Sequence, residues 1–201
     1  LKPDLIIALI VVSFMIGAIP FGLFVSQTFY ATDLRQAGSG NIGAANALRT
    51  LGKRGAIAVL LLDTLKGFAP TFAVMYLLGP IAAAAAGIAA VAGHCWSPLL
   101  GGRGGKGVAT LFGSLFALWW PAGLVFALVW IAAVLVTGFS SVASMTATVA
   151  MIAVLWFGLG IPGLAFGVVA TAIVFVRHKE NLERLRQGTE NRFSMLKAKR
   201  T

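Results

Sequence analysis

Apolar residues in this chain gather in blocks, at 5–29, 56–78, 81–100, 108–137, 142–157 and 163–176, that hold almost no charge. A helix needs about 20 such residues to cross a hydrocarbon core about 30 Å thick, and a helix satisfies its own backbone N–H and C=O groups there. Charged residues make up only 11% of the 201, against about 25% in a soluble domain. A soluble enzyme, a disordered regulator and a secreted disulfide scaffold are all poor fits. Cys95 is the single cysteine, so an internal disulfide and a cysteine-based metal cluster are excluded. The 5–29 block is too long for a signal-peptide core and no small-residue cleavage site follows it, so it is expected to be a retained helix.

The 108–137 block is too long for one span, since 30 helical residues reach about 45 Å. Trp119, Trp120 and Pro121 stand near its middle. Tryptophan favours the headgroup region and proline does not continue a helix, so a turn is expected there. Splitting the block puts the loops 31–55, 101–107 and 138–141 and the tail 177–201 on one side. Every Lys and Arg except Lys2 and Lys66 then lies on that side, as the positive-inside tendency requires. The expected architecture is all-α: a polytopic integral membrane protein with seven transmembrane helices, short or broken helices lying beside a cytoplasmic polar site. It is read as a single membrane domain, 1–201, with a basic cytoplasmic tail at 177–201. The N-terminus is outside, and the net charge of +10 reports orientation and contact with anionic headgroups or substrates rather than nucleic acid.

Four polar segments share the basic side. Residues 38–49 offer Ser39, Asn41, Asn46 and Arg49, which suit hydrogen bonding to phosphate and serve equally as a helix cap and glycine turn. Residues 101–110 carry five glycines within seven residues, and Lys106 stands where the next helix begins. Glycine-rich backbone and a cation at a helix N-terminus make a phosphate site, although a plain re-entrant turn has the same composition. The spacing is not that of a Walker A loop, because Leu100 and Gly107 occupy its required glycine and Ser/Thr positions. Residues 140–144 supply Ser140, Ser141 and Ser144, and 178–190 supply His178, Glu180 and Asn181. His178 is the best-placed titratable group, as a base, a donor or a surface histidine. His94 is expected to cap or pack. Asp63 and Lys66 lie three apart on one helix face at membrane depth, where ionisable groups are paired or functional. The His and Cys residues lack metal-ligand spacing, and neither metal nor cofactor is expected. The run His178 to Glu183 has Glu where the His-x4-Asp signature of glycerolipid acyltransferases needs Asp.

Taken together, Ser39-Gly40-Asn41-Ile42-Gly43-Ala44-Ala45-Asn46, Gly104-Gly105-Lys106-Gly107-Val108-Ala109-Thr110 and His178-Lys179-Glu180-Asn181-Leu182 resemble the PlsY family of bacterial membrane glycerol-3-phosphate acyltransferases. Leu62-Asp63-Thr64-Leu65-Lys66-Gly67 and Gly93-His94 fit it as well. The resemblance implies acyl transfer from acyl-phosphate to the 1-hydroxyl of glycerol 3-phosphate in the bacterial inner membrane. Lysophosphatidic acid and inorganic phosphate are the implied products, with no cofactor. On this reading Lys106, the glycine-loop amides of Gly104, Gly105 and Gly107, Ser39 and Ser141 hold the acyl-phosphate, with Arg49, Asn41 and Asn46 nearby. His178 and Asn181 orient glycerol 3-phosphate, while Asp63, Lys66 and Glu180 support the site. A monomer embedded in membrane lipid is expected. Ala45 departs from the family, which commonly has Thr there. The rival reading is a small anion or phosphate transporter, against which stand the missing internal repeat and the one-sided polar groups.

Overall fold

The structure, a computed structural model, describes residues 3–193, so Lys2 and the basic residues Lys197, Lys199 and Arg200 lie outside the described residues. Ten α-helices follow in order: α1 (Pro3–Ala18), α2 (Phe21–Tyr30), α3 (Ala44–Thr50), α4 (Gly52–Leu78), α5 (Pro80–Cys95), α6 (Val108–Leu118), α7 (Trp120–Thr137), α8 (Ser140–Leu159), α9 (Ile161–Arg177) and α10 (Lys179–Arg186). All regular structure among the described residues is helical. Among the described residues, five stretches are long and apolar enough to cross a membrane: Pro3–Tyr30, Gly52–Leu78, Pro80–Leu100, Trp120–Thr137 and Ser140–Leu159. The pair α9 and α10, bent by 57°, makes a sixth if counted as one span, and α6 is apolar but only 11 residues long.

The 5–29 block, read from sequence as one helix, is broken. Pro20 has no N–H to give to the ladder, and α1 ends at Ala18 before α2 starts at Phe21. The 108–137 block breaks at Trp119, whose backbone is extended (φ −162°, ψ 103°), with Pro121 in the first turn of α7.

Helices in lipid gain nothing from hiding apolar surface from one another, so close backbone approach and internal polar bonds hold them together. Gly67 of α4 and Gly113 of α6 face each other's backbones. A Cβ on either would fall about 2 Å from a carbonyl oxygen, of Thr110 and Thr64 respectively. The Ser114 hydroxyl meets Thr71 Oγ1 at 3.2 Å beside this contact. Leu111, Leu115, Phe126, Met151, Leu155 and Phe166 fill the centre of the bundle. Short α6 is thus wedged among longer helices, and its N-terminus ends inside protein rather than in solvent.

Candidate active site

At that N-terminus lies a cavity of about 400 Å³. Its polar end is assembled from four separate segments. α3 and the loop before it bring Ser39, Asn41 and Arg49; the loop between α5 and α6 brings Lys106 and Gly107. The start of α8 brings Ser140, Ser141 and Ser144, and the corner between α9 and α10 brings His178, Asn181, Arg184 and Glu190.

Asn46 organises the first segment. Its Nδ2 faces the carbonyls of Leu34, Ala37 and Asn41 at 2.8–3.1 Å, while its Oδ1 accepts the Ser39 N–H at 2.8 Å. Expected from sequence as a substrate contact, Asn46 lines the cavity, and its amide is hydrogen-bonded within the loop. Asn41 Oδ1 accepts the Gly43 N–H at 2.9 Å, a turn that leads into α3. Arg49 donates Nη2–H to Ser39 Oγ at 3.1 Å, and its buried Nε has no partner among the described residues.

The glycine loop requires a second correction. The Gly104 N–H donates to the Cys95 carbonyl at 3.2 Å and the Gly105 N–H to the His94 carbonyl at 3.0 Å. Neither amide is available to a ligand, and neither glycine lines the cavity. Gly107 does, in the left-handed region (φ +79°) that glycine favours, and it launches α6 so that Val108 and Ala109 also face the cavity. The N–H groups of a first helical turn have no intrahelical partner. Lys106 Nζ donates to Asn181 Oδ1. Burial pushes the Lys106 ammonium down to about 8, Glu190 opposing the shift and Arg184 adding to it.

Glu190, which closes the fourth polar segment, and Arg177 were given no site role from the sequence. Glu190 Oε1 accepts Ser141 Oγ–H at 2.9 Å and Asn181 Nδ2–H at 2.6 Å, and its Oε2 accepts Arg184 Nε–H at 2.8 Å. Burial raises the Glu190 pKa, but the bonds from Asn181, Arg184 and Ser141 outweigh it, and the carboxyl stays below the usual glutamate range. Its signal in the sequence is faint: it is one of three acids in the basic tail, with Glu180 and Glu183, just past Gly188. Arg177, counted only as part of the basic tail, donates to the carbonyls of Gly105 (3.0 Å) and Gly104 (2.8 Å). Glu180, expected in support, is exposed on α10 and does not line the cavity.

His178 is 3% exposed. Its Nδ1 lies 2.7 Å from the Val174 carbonyl, which can only accept, so Nδ1 carries the proton and Nε2 keeps a lone pair when the ring is neutral. Burial, then the Lys106 charge, pushes its pKa down to about 4. Ser141 is the serine that meets the charged cluster, since Ser144 is tied to the Ser140 carbonyl and the Trp130 indole. Beneath the polar end, Asp63 pairs with Lys66 at 2.7 Å and stands 3.7 Å from His94 Nδ1. Lys66 also donates to the Ile19 carbonyl, in the break between α1 and α2, at 2.8 Å.

The other end of the cavity is apolar. Ile57 and Leu60 of α4, Phe112 of α6, and Phe126, Trp130 and Ile131 of α7 line it. Ile57 (54% exposed), Leu60 (42%) and Ile131 (49%) lie on the outer surface of the bundle as well, so this end opens sideways.

A bundle of membrane-spanning length and composition, with a cavity that joins a cationic pocket to a lateral apolar slot, defines an all-α polytopic membrane protein with a two-ended site. Comparison with known proteins agrees. The family model described as glycerol-3-phosphate acyltransferase matches residues 7–188. The glycerol-3-phosphate acyltransferase of Bradyrhizobium diazoefficiens is 41% identical over 183 residues, 91% of this chain and 92% of the relative. That of Brucella anthropi is 43% identical over 190 residues, 93% and 92% of the two chains. Among solved structures, the glycerol 3-phosphate form of PlsY (YgiH), an integral membrane glycerol 3-phosphate acyltransferase, superposes with a TM-score of 0.90 at 36% identity, covering 95% of this chain and 96% of that one. Its lysophosphatidic acid form gives 0.87 at 35% identity, with 93% and 94% covered. The chain belongs to the glycerol-3-phosphate acyltransferase family and is an integral membrane enzyme of that activity, which sets the transporter reading aside.

Proposed function

We propose that this enzyme transfers a fatty acyl group from acyl-phosphate to the 1-hydroxyl of glycerol 3-phosphate, releasing lysophosphatidic acid and inorganic phosphate. The observation that carries this reading is the two-ended cavity, which suits a donor with an acyl chain in the slot and a phosphate at the cationic end. The glycerol 3-phosphate and lysophosphatidic acid forms of the solved relative support the acceptor and the product. The chain acts as one unit over 1–201 and as a monomer. Five long spans, α6 and α9 make seven crossings, with the N-terminus outside and the cavity's polar end at the cytoplasmic face of a bacterial inner membrane.

Lys106 and the free first-turn amides of α6 hold the donor phosphate, with Ser39, Arg49 and Ser141 around it. His178 and Asn181 orient the acceptor hydroxyl, and Asn41 lies at the rim. The hydroxyl oxygen attacks the acyl carbonyl carbon, the bond from that carbon to the phosphate oxygen breaks, and the departing phosphate takes the proton. Neither of the serines that meet charged groups, Ser39 and Ser141, is hydrogen-bonded to a histidine, so the transfer is direct rather than through an acyl-enzyme. Asp63 and Lys66 buttress the helices beneath. Catalysis here is chiefly positioning and charge stabilisation.

The test is product formation by purified protein in detergent with palmitoyl-phosphate and glycerol 3-phosphate, beside reactions containing palmitoyl-CoA or EDTA. Lysophosphatidic acid from acyl-phosphate alone, with or without EDTA, is the expected result. Product from palmitoyl-CoA instead would overturn the donor assignment.

A further inference from the structure

Arg177 binds the glycine loop without lining the cavity, and the mechanism above gives it no task. Its Nε and Nη2 reach the carbonyls of Gly105 and Gly104 at 3.0 and 2.8 Å, and its guanidinium lies 5.8 Å over the Trp96 ring. The N–H groups of the same two residues are held by the end of α5. The peptide groups leading into Lys106 are therefore fixed from both sides. The packing admits no alternative there: a Cβ on Gly105 would fall 2.1 Å from His94 Nε2, and one on Gly104 1.9 Å from the His94 carbonyl oxygen. Arg177 is also the last residue of α9, next to His178 and four before Asn181, which takes the Lys106 ammonium. A single guanidinium thus joins the backbone that carries Lys106 to the helix end that carries His178 and Asn181.

From this geometry we infer that Arg177 is a positioning residue that sets the distance between the phosphate-holding lysine and the groups that orient the acceptor. A fork is required, because one planar group must meet two successive carbonyls, and an ammonium cannot span both in a fixed plane. The inference rests on the assignment of Lys106 to phosphate given above. Arg177 touches the cavity only through the loop, so its effect must travel through Lys106.

A double-mutant cycle on the full-length protein tests this, reading kcat and KM for both substrates with palmitoyl-phosphate as donor, on protein that stays monodisperse in detergent. Arg177→Ala is expected to lower kcat/KM about 30- to 100-fold, as a misplacement of about 1 Å does. Arg177→Lys should recover little of it. In a Lys106→Ala background the same change should cost less than about threefold, whereas in a Ser39→Ala background it should cost its full factor. Should Arg177→Ala not yield folded protein, the Arg177→Lys variant runs the same cycle. Losses that multiply fully with Lys106→Ala, or full activity in Arg177→Lys, overturn the inference while leaving the site assignment standing. A Lys106→Ala enzyme of wild-type rate overturns both.

Discussion

The Lys106 ammonium donates to the Asn181 side-chain oxygen, and the other half of that amide donates to Glu190 at 2.6 Å. Asn181 thus works in both directions at once, between a cation and an anion, across 75 residues of chain.

Asn181→Asp keeps the acceptor for Lys106 but sets a second carboxylate against Glu190. Losing a hydrogen bond to a charged group costs about 1.5–3 kcal/mol, and the like charges add to it. A fall in kcat/KM of at least about 30-fold at pH 7.5 is expected, with partial recovery near pH 5.5, where one shared proton can bridge the two carboxylates. Initial rates at the two pH values decide it, and a variant equally poor at both would speak against the paired-carboxylate explanation.

Lys106, with its pKa pushed down to about 8 by burial, is charged below that pH and loses its proton above it. Donor kcat/KM should therefore fall as pH rises through about 8, approaching tenfold per unit. Lys106→Arg cannot deprotonate, and the alkaline limb should vanish from its profile between pH 6.5 and 9.5, whatever its absolute rate. An unchanged limb would assign it to another group.

His178, held near a pKa of about 4 by burial and the Lys106 charge, is neutral throughout pH 5.5–7.5. Its state should therefore impose no slope on the rate in that range. His178→Ala is expected to raise KM for glycerol 3-phosphate about tenfold or more while changing kcat less, the mark of lost positioning. A fall in kcat alone, repaired at higher pH, would instead make His178 a base.

Gly105→Ala forces a Cβ to within 2.1 Å of the His94 ring nitrogen, inside a loop braced on both faces. Overpacking of this kind costs about 1–3 kcal/mol. The thermal midpoint in detergent should drop by several degrees and most activity should go, and adding His94→Ala should return part of the midpoint. No return would mean that the strain lies against the neighbouring carbonyls instead.

Lys66→Met leaves the Asp63 carboxylate buried at 2% side-chain exposure without its cation. Removing one partner of such a pair costs about 3–5 kcal/mol, whereas replacing both by apolar groups is often nearly neutral. The double variant Asp63→Leu, Lys66→Met should accordingly melt well above Lys66→Met alone. Thermal unfolding of the three proteins checks this.

The membrane class was legible because uncharged length is a local property, and so was the break at Trp119, where tryptophan and proline coincide. Asp63 and Lys66 could be put on one face by helical spacing alone, but the Ile19 carbonyl that Lys66 also binds could not, since it lies 47 residues away. The break at Pro20 carried the same proline signal as the one near Trp119, but no tryptophan pair and no excess length drew attention to it. Glu190 belongs to a coil after the last helix and reaches Ser141 across 49 residues, a contact no spacing rule contains. Gly104 and Gly105 were read as phosphate donors because composition shows that a backbone can approach a ligand, not which carbonyls have already taken its N–H groups.

Because Ile57, Leu60 and Ile131 line the slot and also face the bilayer, the proposed donor reaches the cavity from within the lipid phase. What governs occupancy is then the mole fraction of acyl-phosphate in the membrane, not its concentration per volume of buffer. Diluting the surface with inert lipid at constant bulk donor should slow the enzyme, while glycerol 3-phosphate keeps ordinary three-dimensional saturation. On the proposed reaction, product formed in the slot is expected to leave sideways into the leaflet without entering water.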